Sequence, residues 1–291
     1  MKKLLILLSF FFALNIFAQK PNVILVLTDD QGIGDLGYYG NKIVKTPNID
    51  KFASESLHLM NFHVERACAP TRAALMTGRQ CNSTGLWYTI TQRAIVRKDE
   101  STIALELKKG GYTTGMFGKW HLGDMKPHRP QDKGFDRVVM HGSGGVGQTT
   151  DYWDNTYFDD TYFVDGKPQK FEGYCTDVFT AESIKFIEGA VKQKKPFFCY
   201  LATNAPHSPY RVGDEYANMY KDYKLPKSRG AFYGMITNID DNFKKLMDKV
   251  DELGIRDNTI VIYMTDNGTA NGYTPDKKAR VLKRLRALIL V

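Results

Sequence analysis

The stretch Asn22-Val23-Ile24-Leu25-Val26-Leu27-Thr28-Asp29-Asp30-Gln31-Gly32 decides the fold class. Its apolar run is continuous rather than alternating, as expected of a strand buried on both faces in a parallel sheet covered by helices. Comparable runs occupy residues 112–117, 196–202 and 259–264. Between them lie segments with helical spacing and helix start or stop signals, at residues 46–53, 101–109, 176–192 and 231–253. Strands alternating with helices predict a doubly wound α/β domain with a mostly parallel sheet. Residues 57–65 read as one further strand. Residues 124–175, rich in Gly, Asp, Tyr and Trp without a clear period, read as loops around a substrate mouth.

Four of the apolar runs lead into chemistry-bearing groups. These are Asp29 and Asp30, then Lys119 and His121, then His207, then Asp266 and Asn267. In open α/β sheets the ligand site lies outside the carboxyl ends of the strands, so these groups are expected to converge. Asp29, Asp30, Asp266 and Asn267 offer only oxygen ligands, which suits a hard divalent cation, Ca²⁺ in preference to Mg²⁺, rather than zinc. Taken singly, each Asp reads first as a turn or helix cap, and only the set together favours a cation. Each histidine alone reads as a hydrogen-bonded core or surface residue. Together with Lys119, His121 and His207 provide a cation and proton carriers for an anionic group in transfer.

Between the first two strands lies Cys68-Ala-Pro-Thr-Arg72-Ala-Ala-Leu-Met-Thr77-Gly78-Arg79. Pro70 suits a first helical turn and Gly78 a helix stop, so Cys68 is expected at the mouth of a short helix with Arg72 one turn on. Two readings fit these residues: a small buried cysteine beside a helix start, or a reactive position where free N–H groups and a cation favour negative charge. The pattern Cys-x-Pro-x-Arg-x-x-x-x-Thr-Gly-Arg resembles the signature of the sulfatase family, and similar segments run in order from about Asn22 to Tyr273. The resemblance implies oxidation of Cys68 to formylglycine by a formylglycine-generating enzyme and one Ca²⁺ on Asp29, Asp30, Asp266, Asn267 and the side chain at position 68. It implies Arg72 steadying the formylglycine, Lys119 binding sulfate, His121 working on the hydrated aldehyde and His207 serving the leaving oxygen. It also implies an alkaline phosphatase-like fold and a sulfated small molecule or glycan as substrate. The aldehyde hydrate would attack sulfur through one hydroxyl and expel sulfate through the other. A formylglycine-type phosphonate or phosphate ester hydrolase of the same superfamily is the rival enzyme, and a non-catalytic remnant the rival from another class.

The 291 residues suffice for a full core. Residues 1–18, with Lys2, Lys3 and an apolar run ending at Ala18, read as a secretory leader in preference to a membrane anchor, predicting export to the periplasm or medium. No later segment is apolar enough to span a bilayer. The net charge of +8 resides at the ends: Lys2 and Lys3, and Lys277, Lys278, Arg280, Lys283, Arg284 and Arg286, leave residues 19–276 formally neutral. A nucleic-acid partner is therefore not indicated. With Cys68 modified, the remaining Cys81, Cys175 and Cys199 allow at most one disulfide. Residues 19–273 read as the catalytic domain. The basic stretch 274–291 matches neither the second sulfate-binding lysine nor the smaller C-terminal domain that the resemblance implies. It reads as an amphipathic helix, a terminal helix, or out-of-frame sequence after a truncation, the last being favoured.

Overall fold

The computed structural model describes residues 19–89, 94–270 and 289–290. Within them the strands are β1 (Asn22–Thr28), β2 (Thr113–Lys119), β3 (Arg137–His141), β4 (Thr161–Val164), β5 (Lys167–Lys170), β6 (Phe197–Ala202), β7 (Thr259–Thr265) and β8 (Ile289–Leu290). They form one sheet in the order β5-β4-β3-β2-β6-β1-β7-β8. The five central strands β3-β2-β6-β1-β7 are parallel, and β4, β5 and β8 join antiparallel at the edges. The mostly parallel α/β sheet expected from the apolar runs is thus present.

The continuous apolar runs are explained by two cores. Ile24 and Val26 of β1 face one core, shared with α1 (Pro47–Ser54), α4 (Cys175–Lys192) and the long α6 (Lys227–Glu252). Leu25 and Leu27 face the other, shared with α2 (Cys68–Thr77) and α3 (Ile103–Lys109). With a side-chain period of two, a strand sandwiched this way must be apolar at every position. Among the described residues the remaining α-helix is α5 (Asp214–Ala217), one turn packed against α6.

Three expectations need correction. Residues 57–65 contribute no strand to the described sheet: they form only isolated bridges, at His58 and His63, with Phe62 and Val64 resting on one core and Leu57, Leu59 and Met60 exposed. Residues 124–175 are not loops alone, because they contain β3, β4 and β5. Helix α6 begins at Lys227, earlier than residue 231, directly after the N-cap Pro226. The leader read in residues 1–18 and most of the 274–291 stretch lie outside the described residues. Ile289 and Leu290 pair antiparallel with Met264 and Tyr263 as an edge strand, not a helix. Among the described residues no helix is long and apolar enough to cross a membrane, and all four cysteines are unpaired and buried.

Candidate active site

Register brings the strand ends level. Thr28 pairs with Thr265, Leu27 and Gly118 both pair with Ala202, and Lys119 pairs with His141. The chain leaving each of these strands therefore starts at the same height on the sheet. Backbone bonds tie the segments together: Asp29 N–H donates to the Ala205 carbonyl, and Asp266 N–H to that of Thr28. At Gly118, φ is +108° and a Cβ would run into the Ala202 carbonyl, so only glycine lets β2 and β6 approach here. Asp30 (φ 64°) and His121 (φ 57°) are non-glycine residues in the left-handed region, a costly conformation that concentrates at functional sites.

Cys68 is the first residue of α2, after Ala67 in extended conformation, and Gly78 closes the helix at φ 65°. Its sulfur lies 3.3 Å from His121 Nδ1 and 3.7 Å from the Thr89 hydroxyl. Cys68 Sγ and one carboxylate oxygen each of Asp29 and Asp266 lie within 4.8 Å of one another. Arg72, wholly buried, donates to the Lys119 carbonyl at 3.0 Å and to Asp266 Oδ2 at 2.9 Å, and stands 3.8 Å from Asp29 Oδ1. Lys119, also wholly buried, hydrogen-bonds Asp29 Oδ2 through its ammonium. Asp30 receives Asn267 Nδ2 on Oδ1 at 2.7 Å, its N–H donates to Asp266 Oδ1, and its Oδ2 lies 3.8 Å from His207 Nε2. All nine residues singled out from the sequence thus belong to one cluster.

Burial sets the charge states. It pushes the Cys68 thiol up, beyond what Lys119 and Arg72 pull back, so an unmodified thiol here stays protonated and is a poor nucleophile. Burial, reinforced by Lys119 and Arg72, drives His121 far below its ordinary value and keeps the imidazole neutral. Burial also raises the Asp266 carboxyl, and the neighbouring Asp29 raises it further. Burial works against the charge on Lys119, but Asp29 outweighs it and the ammonium is held above its usual range. Asp29, Asp30 and Asp266 against Arg72 and Lys119 leave one formal negative charge in excess. Two oxygens with little access to water, Asp29 Oδ1 and Asn267 Oδ1, have no hydrogen-bond partner among the described residues. Excess negative charge and unused oxygens beside a polar strand-end cluster fit a hard divalent cation.

Sequence reading missed His141. It ends β3 opposite Lys119, is fully buried, bonds the Gly142 carbonyl through Nδ1 and leaves Nε2 without a partner among the described residues. Its signal was present: Arg137-Val-Val-Met-His141 is another apolar run ending in a polar group, obscured by the Gly- and Asp-rich sequence around it.

A doubly wound sheet of this order, with acids, amines and imidazoles gathered at the carboxyl ends of its strands, is an alkaline phosphatase-like fold. The sulfatase family model matches residues 21–283, continuing past Tyr273. The chain is 33% identical over 266 residues to arylsulfatase J of Mus musculus, covering 87% of this chain and 44% of that one. It is 32% identical over 283 residues to N-acetylgalactosamine-6-sulfatase of Homo sapiens, covering 89% and 52%. The solved structure of Ps i-CgsB in complex with k-i-k-neocarrahexaose superposes with a TM-score of 0.84 at 32% identity, over 94% of this chain and 65% of that one. The chain belongs to the sulfatase family. It spans about half the length of the curated relatives it matches.

Proposed function

We propose that residues 19–273 form the catalytic face of a sulfatase that hydrolyses sulfate esters, with formylglycine at position 68 and one Ca²⁺. The observation that carries this reading is the position of the Cys68 side chain. It is the first residue of a helix, against His121 Nδ1 at 3.3 Å and among two buried carboxylates. A raised thiol pKa is unsuited to direct thiolate attack, which favours a modified side chain.

Asp29, Asp30, Asp266 and Asn267 would hold the cation, which would act as a Lewis acid toward the hydroxyl at position 68. Formylglycine in its hydrated form would supply the nucleophilic hydroxyl and a second one for expelling sulfate. Around these groups the protein's own residues have separate tasks. Arg72 braces Asp266 and the Lys119 carbonyl, fixing the floor of the site. His121, held neutral, takes a proton from the side chain at position 68. His207, anchored through Nδ1 to the Ser208 carbonyl at 2.6 Å, presents Nε2 on the Asp30 side to protonate the leaving alcohol. Lys119 supplies positive charge for the sulfate oxygens.

Charge distinguishes ester classes. A divalent cation turns the site's excess of one negative charge into one positive charge, which a singly charged sulfate ester cancels. A phosphate monoester, with about two negative charges near neutral pH, would leave the site negative again. The likeness to N-acetylgalactosamine-6-sulfatase favours a sulfated sugar. We place the protein outside the cytoplasm, after export on residues 1–18 and modification by a formylglycine-generating enzyme.

Co-expression with that enzyme, intact-mass analysis of residue 68 and sulfate release from 4-nitrophenyl sulfate test the reading. Turnover of the aryl sulfate well above that of the matching phosphate and phosphonate esters is expected. Formylglycine at position 68 without sulfate release from any ester would overturn it in favour of a binding remnant.

A further inference from the structure

Beyond its stop at Gly78, the chain that leaves α2 returns to Cys68. The turn Cys81–Thr84 is a 3-10 helix closed by Gly85 in the left-handed region, and Leu86 then enters the core that holds Met76. Leu86 N–H donates to the Cys81 carbonyl at 3.2 Å and Arg97 N–H to that of Thr84 at 3.0 Å, which pins the segment. Trp87 and Tyr88 stand exposed, whereas Thr89 is half-buried, with its hydroxyl 3.7 Å from Cys68 Sγ. Among the described residues this hydroxyl has no other hydrogen-bond partner.

Two uncharged groups thus converge on the side chain at position 68, which is 8% exposed: His121 Nδ1 at 3.3 Å and the Thr89 hydroxyl. A thiol asks little of them, being a weak donor and a weak acceptor. Formylglycine changes the demand. The aldehyde has one oxygen that only accepts, whereas the hydrate carries two hydroxyls on one carbon, each a donor with two lone pairs. Hydration adds water across the C=O bond: the water oxygen bonds to carbon, one of its protons moves to the carbonyl oxygen, and nothing is oxidised or reduced. Where little water reaches, a hydroxyl without a partner is costly, so a second fixed group beside position 68 favours the hydrate over the aldehyde. With no base behind it among the described residues, the Thr89 hydroxyl orients a proton rather than removing it.

We infer that Thr89 is a positioning residue for the nucleophile: it hydrogen-bonds the hydrated formylglycine, holds the aldehyde–hydrate balance toward the hydrate and keeps one hydroxyl turned to His121. This rests on the formylglycine reading above. It assigns a role to a residue outside both the Cys68–Arg79 signature and the strand ends.

The full chain is co-expressed with a formylglycine-generating enzyme as wild type, as Thr89→Val, which keeps the shape without the hydroxyl, and as Thr89→Ser, which keeps the hydroxyl. Intact mass verifies formylglycine in each. With Ca²⁺ present, methoxyamine captures only the aldehyde, forming an oxime ether with loss of water, and mass spectrometry follows the rate. Thr89→Val should be captured about fivefold faster than wild type, one hydrogen bond's worth, and Thr89→Ser about as slowly as wild type. The valine variant's kcat for 4-nitrophenyl sulfate should fall with KM little changed, because Thr89 meets the nucleophile and not the alcohol. Thr89→Ala gives the same comparison should valine not be accommodated. Equal capture rates in wild type and the hydroxyl-free variants, or the same change in the serine variant, would make Thr89 packing alone and overturn the inference. Formylglycine without sulfate release in the wild type would remove the sulfatase reading, and the capture rates would still decide the role of Thr89. No formylglycine at position 68 of the wild type would overturn both.

Discussion

The Arg72 guanidinium donates to the Asp266 carboxylate across 2.9 Å, with both side chains at zero exposure. A charge buried this deeply is tolerated only because it is paired, so removing one partner costs far more than the pair contributes. Arg72→Ala is expected to destabilise the protein by ~3–5 kcal/mol, because it leaves Asp266 and Asp29 uncompensated. Urea unfolding measures this, and a loss below about 1 kcal/mol would contradict the pairing.

Calcium should relieve the same excess of negative charge. Ca²⁺ at about 100 times its Kd is expected to raise unfolding free energy by ~2.7 kcal/mol, and chelation to reverse the gain. Asp29→Ala and Asp266→Ala should lose the Ca²⁺ response, and Mg²⁺ should reproduce it only in part. Equal responses in the wild type and both variants would place the ion elsewhere.

His121 is held neutral by burial and by the cations Lys119 and Arg72. Since its folded pKa lies below the ordinary 6.5, the base form persists as pH falls, and kcat should show no loss from this group between pH 7 and pH 5. His121→Ala should reduce kcat ~10²–10⁴-fold with a smaller change in KM. A fall in kcat centred near pH 6.5, absent from a residual-activity profile of the variant, would assign His121 a solvent-like pKa instead.

Asp240, inside α6, accepts the Asn48 and Ile49 N–H groups at the start of α1 and the Asn48 side chain. Burial pushes its pKa up from 3.8 to about 6, against those hydrogen bonds. The folded state therefore holds this proton more tightly than the unfolded chain. The contribution to stability is greatest below pH 4 and declines as pH rises from about 4 to 6. Urea titrations across that range should show a decline in the wild type that Asp240→Asn lacks. Parallel curves would rule it out.

Residues whose environment is local were legible in the sequence. The run at residues 22–27 announces a strand buried on both faces, and the stop at Gly78 needs only its own φ. The oxygen-only donor set follows from residue type. Misreadings arose where the partner decides the outcome. The 57–65 run has strand composition but makes only isolated bridges, at His58 and His63, whereas β3 to β5, inside a glycine-rich stretch, are defined by pairing outward in turn from β2. The importance of His141 emerges only from its place opposite Lys119.

Side-chain chemistry and periodicity along the chain thus determined the alternation of strands and helices and the kinds of groups at the strand ends. Tertiary structure alone decided which oxygens are left unpaired, why His121 stays neutral and how Thr89 comes to meet the side chain at position 68. The physical reason is that hydrogen-bond satisfaction and desolvation depend on groups distant in the chain, such as Arg72 and Asp266, whose separation no periodicity encodes.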